Sequence, residues 1–358
     1  MRMQPMRKIS FLTILFVFVS GVCLATEYPY IYKGFRPMGM GGAFVAVSND
    51  ANALFYNPAG LADIEKINAS IFGLEVEAGK DAYNLYKDAL DTDFSNSDET
   101  AKFLSDHIGD HSHLGFTIVP SYTMPRFAFA VFGTAITDLE VRDSQYPKLD
   151  TKVQSDIGFG AGYAHPFMEK NLLVGASFKY DYRQSLTEEY TIADLSGKLI
   201  DTIKDDLNKG SGILVDLGVI YKLGKWDLPN TRFGITGNNL IGSSLGDAKD
   251  LDEHVDIGFA QDIDLKVTKA TFAIDYVDIF HQFSEDNDYA KRIRLGGEFQ
   301  FIDILFVRAG LYQGYFTAGL NLEARVVRLD LLTWAEEIGA YSGQRVDRRY
   351  AARIFFGF

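Results

Sequence analysis

One cysteine in 358 residues excludes a disulfide scaffold. A broad footprint for nucleic acid is excluded as well, because 35 Lys and Arg stand against 48 Asp and Glu, a net charge of −13. The chain has no Pro/Gly/Ser-rich linker and no regular alternation of strand and helix patterns, so its length does not divide into two soluble domains. It lacks a G-x-S-x-G elbow and an H-E-x-x-H pair; no enzyme, cofactor or metal centre is expected. Tryptophan is scarce, with 2 residues against 28 Phe and 19 Tyr. What is present is an ordinary apolar content of 47%, enough to exclude a disordered chain.

The one long apolar run is N-terminal. Arg2, Arg7 and Lys8 precede the run from Ile9 to Val19, and small residues then lead to Cys23-Leu24-Ala25. A basic start, an apolar centre and a small residue before the cut predict a secretory signal over residues 1–25. Val22 before Cys23 argues against a lipoprotein anchor. Cleavage removes the cysteine and three basic residues, leaving 32 basic against 48 acidic side chains, a net −16. Beyond residue 25 no stretch reaches the roughly 18 to 20 apolar residues of a transmembrane helix. An exported chain of this kind enters a membrane only as a closed barrel, since only helices and closed sheets satisfy every backbone group in lipid.

Period-two alternation fills the rest. In 290–301, Ile293, Leu295, Gly297, Phe299 and Phe301 share one face, and Arg292, Arg294, Gly296, Glu298 and Gln300 share the other. In 172–183, Val174, Ala176, Phe178, Tyr180 and Tyr182 oppose Gly175, Ser177, Lys179, Asp181 and Arg183. About fourteen such segments are expected, near 67–76, 114–123, 126–138, 153–165, 171–184, 211–222, 231–240, 254–264, 267–280, 290–301, 304–312, 315–322, 325–335 and 348–358, close to the length of a tilted strand crossing a bilayer. Gaps after odd-numbered strands are mostly long, including 77–113, 139–152, 185–210, 241–253 and 336–347. Those after even-numbered strands are mostly tight turns. This sidedness belongs to outer-membrane barrels, and a soluble sandwich gives no reason for it. The fold expected is therefore all-β: a transmembrane antiparallel barrel of about fourteen strands over 67–358. On the last strand Tyr350, Ile354, Phe356 and Phe358 share a face, resembling the C-terminal signal read by the barrel assembly machinery.

Between signal and barrel, residues 26–66 carry Met38-Gly39-Met40-Gly41-Gly42-Ala43-Phe44 and then Tyr56-Asn57-Pro58-Ala59-Gly60. No strand precedes the glycines and no lysine ends a phosphate cradle, so a nucleotide loop is excluded. Glycine here permits close backbone approach, and Asn57-Pro58 marks a turn. The run from Met38 to Ala62 resembles the N-terminus of the FadL-type superfamily, which includes long-chain fatty acid transporters, PorV-like secretion proteins and TraF-like outer-membrane proteins. The resemblance implies that Gly39, Met40, Gly41, Gly42, Asn57 and Pro58 belong to a hatch inside the barrel, and that hydrophobic molecules pass it to an opening in the wall. The chain is shorter than the transporters, and its end from Glu336 to Arg349 looks more like the TraF-like branch.

Three features are candidates for function. Inward positions collect Asp156, Lys179, Asp181, Arg183, Asp216, Asp275, Arg292, Arg294, Glu298, Arg308, Arg328, Asp330, Arg349 and Arg353. Charges in a lumen must be hydrated or paired, so they either join hatch to wall or, at Arg292, Arg294, Glu298 and Arg308, bind a substrate, with Arg292 and Arg294 holding its carboxylate. Helical stripes (Ala82, Leu85, Tyr86, Ala89, Leu90; Phe103, Leu104, His107, Ile108; Ile192, Leu195, Leu199, Ile200, Ile203, Leu207) either capture lipid-like ligands or merely cover the barrel mouth. His107, His111 and His113 with Asp106 and Asp110 carry metal-ligating groups, but a polar surface loop explains them without a metal. The expected partners are outer-membrane lipid, a hydrophobic ligand and the assembly machinery, in the outer membrane of a Gram-negative bacterium. Passive passage of fatty-acid-like molecules is the leading expectation; a non-transporting scaffold for secretion or conjugation partners is the alternative.

Overall fold

The computed structural model describes residues 30–357 except 144, 196–203, 224–229, 243, 266–267, 284–287 and 340. The expected signal with Cys23, the terminal Phe358, and Leu199, Ile200 and Ile203 lie outside the described residues.

Alternating side chains build one sheet from β1 (Asn68–Gly79), β2 (His111–Ile118), β3 (Ser121–Met124), β4 (Phe127–Arg142), β5 (Lys148–Phe167), β6 (Leu172–Tyr190), β7 (Asn208–Lys222), β8 (Thr231–Ile241), β9 (His254–Asp264), β10 (Thr268–Tyr276), β11 (Ile293–Phe301), β12 (Leu305–Tyr312), β13 (Tyr315–Ala324), β14 (Val327–Glu337) and β15 (Val346–Gly357). Successive strands pair antiparallel, and β15 returns to β1 along Ser70 to Gly79, so the sheet closes. β2 and β3 both lie between β1 and β4. They are two halves of one wall position, and the barrel is fourteen strands around, as the alternation predicts. The expected single strand over 114–123 is interrupted at Val119-Pro120, because proline has no N–H to give the ladder. Among the described residues no helix is long and apolar enough to cross a membrane.

The outer face is apolar and lacks protein neighbours: Phe127, Phe129 and Val131 on β4 and Ile293 and Leu295 on β11 are all exposed. Their neighbours Ala128, Ala130, Phe132 and Arg294 are buried inside. Such a face is stable only against lipid. One mouth carries the long connections 80–110, 191–207, 242–253 and 277–292, while 125–126, 168–171, 265–267, 302–304 and 325–326 close the other mouth.

One expected long connection shrinks. The connection after β4 is only 143–147, because β4, β5 and β6 extend to 16, 20 and 19 residues and rise above the barrel. The loop after β12 is the expected two-residue turn Gln313-Gly314, with φ of 51° and 85°, the backbone a tight hairpin demands.

The raised strands explain the loop helices α3 (Ala82–Asp91) and α4 (Ser97–Asp106). Leu85, Phe103 and Leu104 pack with Val141, Leu149, Leu186, Tyr190 and Leu195 into one cluster. The stripes thus cover the protruding sheet through these residues, whereas Leu90 and Ile108, expected in the same stripes, are exposed.

Candidate functional site

Residues 30–64 run inside the lumen, where α1 (Phe35–Gly39), α2 (Ala53–Tyr56) and a 3₁₀ turn (Pro58–Asp63) shape them, and the exposed 65–67 lead to β1. Gly41 and Gly42 have φ of 64° and 78°, and a Cβ on Gly41 would lie 2.3 Å from the Leu295 carbonyl oxygen. The Gly41 N–H donates to Thr317 Oγ1 at 3.1 Å, and that hydroxyl donates to the Gly39 carbonyl at 3.2 Å. Met40 is fully buried.

The wall answers with glycines of its own. A Cβ on Gly296 would meet the Met40 oxygen at 2.2 Å, on Gly310 the Gly41 nitrogen at 2.5 Å, and on Gly175 the Pro58 oxygen at 2.4 Å. On Gly218 it would lie 1.9 Å from Asn57 Oδ1. The hatch therefore lies directly on the strand backbones. Asn57 fixes its second half: Nδ2 donates to the Val45 carbonyl at 2.8 Å and Oδ1 accepts from the Ala59 N–H at 3.1 Å. Around these polar joints, Phe35 and Met38 pack against Tyr312, Leu332 and Trp334, and Leu54 and Leu61 against Ala128, Ala130 and Ala164.

Charged groups tie the same segment down. Asp275 accepts from the Phe44 and Val45 N–H groups at 2.6 and 2.8 Å. Arg36 grips Glu298 through two bonds of 2.9 and 2.8 Å and reaches Asp50 at 2.9 Å. Arg308 donates to the same Glu298 at 2.6 Å. Two of the four candidate ligand-binding residues thus meet the hatch through Arg36, a residue not singled out from sequence although it stands two residues before the glycine-rich run. Arg292 is not on β11 as the alternation implied: it ends the helical turn Tyr289–Arg292 and is ion-paired with Asp278 in the loop. Burial works against the charge of Asp278, but the amides of Gln282 and Phe283 and the Arg292 guanidinium hold its carboxyl below the ordinary value. Arg294 is inward and stacks over the Tyr312 ring at 3.6 Å. Elsewhere the lumen pairs Arg183 with Asp156 at 2.6 Å, Lys179 with Asp216 at 2.5 Å and Arg353 with Asp330 at 2.7 Å.

Space remains on both sides of the hatch. An outer cavity of about 480 Å³ is lined by His111, Asp138, Glu140 and Arg142 and shares Lys152, Lys249 and Arg349 with a smaller one of about 50 Å³ deeper in. Phe35, Trp334 and Tyr32 line this smaller space. On the short-turn side a cavity of about 680 Å³ is bordered by Arg36, Glu298, Arg308, Val119 and Ser121, and again by Tyr32. A fourth, of about 40 Å³, lies beside Tyr32 and Arg294. Tyr32 thus stands where the outer and inner spaces meet. Its hydroxyl donates to Glu75 at 3.0 Å and its ring meets Phe55 edge-on at 5.1 Å. The broken strand borders the inner cavity through Val119 and Ser121.

Of the three clustered histidines, His107 pairs with Asp110 at 2.8 Å at the end of α4, whereas His111 and His113 stand on β2 with His113 fully buried. Tyr350, Ile354 and Phe356 face outward on β15 at 53%, 49% and 45% exposure.

Residues 54–321 match the family model described as "F plasmid transfer operon, TraF, protein". No curated protein matches the chain in sequence. Among solved structures, the chain is similar to the CymD monoaromatic hydrocarbon channel, with TM-score 0.52 and 14% identity over 92% of this chain and 98% of that one. It is also similar to the Ralstonia pickettii toluene transporter TbuX, with TM-score 0.51 and 15% identity over 91% and 98%. The Pseudomonas putida toluene transporter TodX gives 0.51 and 13% over 92% and 98%. At these identities the likeness is one of fold. With its hatch, its fourteen-strand wall and a match spanning most of its length, the chain belongs to the family of the F plasmid transfer operon TraF protein and has the fold of a FadL-type outer-membrane barrel.

Proposed function

We propose that the protein lies in the outer membrane of a Gram-negative bacterium and lets small hydrophobic or amphipathic molecules pass down their gradient. The observation that carries this reading is the succession of cavities on either side of Tyr32, inside a fold shared with monoaromatic hydrocarbon channels. A molecule entering from the long-loop mouth would meet the 480 Å³ space, pass Tyr32 and reach the inner space beside the break at Pro120. The lining is mixed, with Trp334 and Phe35 close to Lys152 and Arg349, which suits a substrate with an apolar body and a polar end. Of the candidate binding residues, Arg294 is best placed beside the path, while Glu298 and Arg308 act as the latch for Arg36. The same reading assigns Tyr350, Ile354 and Phe356 to recognition by the assembly machinery.

The test is uptake of labelled fatty acids and monoaromatic hydrocarbons by vesicles holding the purified barrel. Tyr32→Ala, which removes the ring between the two spaces, should accelerate uptake. Equal uptake by wild-type and protein-free vesicles would reject the reading.

A second reading is a scaffold for secretion or conjugation partners. The hatch seated on wall glycines favours it, because a plug bonded along its length need not move. Its mark would be a barrel that passes none of these probes yet copurifies with a periplasmic or cell-surface partner.

A further inference from the structure

At the long-loop mouth, three strands that are not neighbours in sequence place an imidazole and two carboxylates together. His111 on β2, Asp138 on β4 and Asp347 on β15 each offer one ligand atom, and these atoms lie within 4.8 Å of one another. His111 Nδ1 is buried without a hydrogen bond, 3.4 Å from Asp347 Oδ1. The intervening strand β1 leaves room because Gly79 stands there; a Cβ at that position would lie 3.3 Å from His113 Cβ and 3.6 Å from Asp347 Oδ1.

The surroundings hold the carboxylates as outer partners hold metal ligands. Arg349 Nε binds Asp347 Oδ2 at 2.6 Å, leaving Oδ1 toward His111. His113 Nδ1 contacts Asp138 Oδ1 at 2.6 Å, and Arg349 Nη2 lies 3.5 Å from that same oxygen. Arg349 and, at 3.9 Å from Asp138, Lys152 oppose a further cation, but Glu77, 3.8 Å from His113 Nε2, adds a third carboxylate. His111 and Asp138 line the 480 Å³ cavity, which supplies access and water for the remaining coordination positions.

We infer that His111, Asp138 and Asp347 form a site for a divalent transition-metal ion at the outer mouth, with Zn²⁺ as the best-matched probe. One nitrogen and two oxygens suit that ion, and bond lengths near 2.0–2.2 Å require only a modest inward movement of the three side chains. A bound ion would cross-link β2 and β4 to β15, across the seam where the sheet closes.

Untagged barrel in detergent should bind one Zn²⁺ by titration calorimetry. His111→Ala and Asp347→Asn should each weaken binding by about tenfold or more, while His107→Ala, outside the cluster, should bind as wild type. Heat-modifiable migration on gels checks that each variant is folded, and Zn²⁺ should raise the unfolding temperature of the wild type but not of His111→Ala. Absence of stoichiometric Zn²⁺ binding by the wild type, or undiminished binding by folded His111→Ala, would overturn the assignment. Neither result depends on whether the barrel transports.

Discussion

Arg36, Glu298 and Arg308 show how the lumen charges are used. A cation on the hatch and one on the wall share a carboxylate at 2.6 to 2.9 Å; Glu298 and Arg308 are buried and Arg36 is partly exposed to the inner cavity. Arg308 still neutralises Glu298 when Arg36 is removed, so Arg36→Ala should cost less than the roughly 3–5 kcal/mol of breaking a lone buried pair while still lowering the urea midpoint of the detergent-solubilised protein; an unchanged midpoint would show that Arg36 contributes nothing to the clamp. Asp275→Ala orphans the amides of Phe44 and Val45, each at about 1–3 kcal/mol, and should expose the hatch to protease. In the loop, Asp278 has its carboxyl held below the ordinary value. Its stabilisation is therefore full above the unfolded carboxylate pKa of about 3.9 and is lost only as pH falls through the lower folded value. Protection of 277–283 from hydrogen exchange should accordingly be constant from neutral pH down to that range. Alternation identified inward positions such as Asp275, Glu298 and Arg308, because the side-chain period of a strand is two. It could not identify their partners, since Arg36 and Glu298 are 262 residues apart. Arg292 misled because alternation continues in sequence beyond the point where the backbone leaves the sheet.

Elements meet through glycine. Wall glycines on β6, β11 and β12 stand opposite hatch backbone, and one on β7 opposite the Asn57 side chain, at distances that admit no side chain. Gly296→Val should therefore expel the Met40 region while leaving the rest of the wall paired. Rapid proteolysis of the hatch in a barrel that keeps its heat-modifiable migration would bear this out, and a protected hatch would contradict it. The loop helices behave differently. Leu104→Ala removes a fully buried side chain from the cluster over β4, β5 and β6, a loss of about 2–5 kcal/mol that should loosen 80–110 alone. The strands were legible because each repeats its pattern for ten residues or so. Their upper ends were not, because β4, β5 and β6 swap lipid for helices as the covering apolar surface without changing period. The break at Pro120 was legible as a residue but not as a gap in the wall, since proline also stands at harmless strand edges.

The whole molecule resolves the acidic balance and the missing apolar run together. Apolar residues are spent at every second position on the lipid face, and arginines are concentrated inside, paired with wall and hatch carboxylates. Closure of β15 onto β1 leaves no edge, as a sheet in lipid requires. The lumen so formed is divided by a hatch and by one ring, Tyr32, between spaces of about 50 and 680 Å³. Under the proposed function, molecules cross at this point. The uptake rate of a labelled monoaromatic hydrocarbon and a labelled fatty acid into vesicles tests this, with wild type, Tyr32→Ala and no protein compared at equal barrel density. Passage at Tyr32 requires uptake above the protein-free rate for wild type and faster uptake for Tyr32→Ala. Uptake at the protein-free rate by both barrels would contradict it.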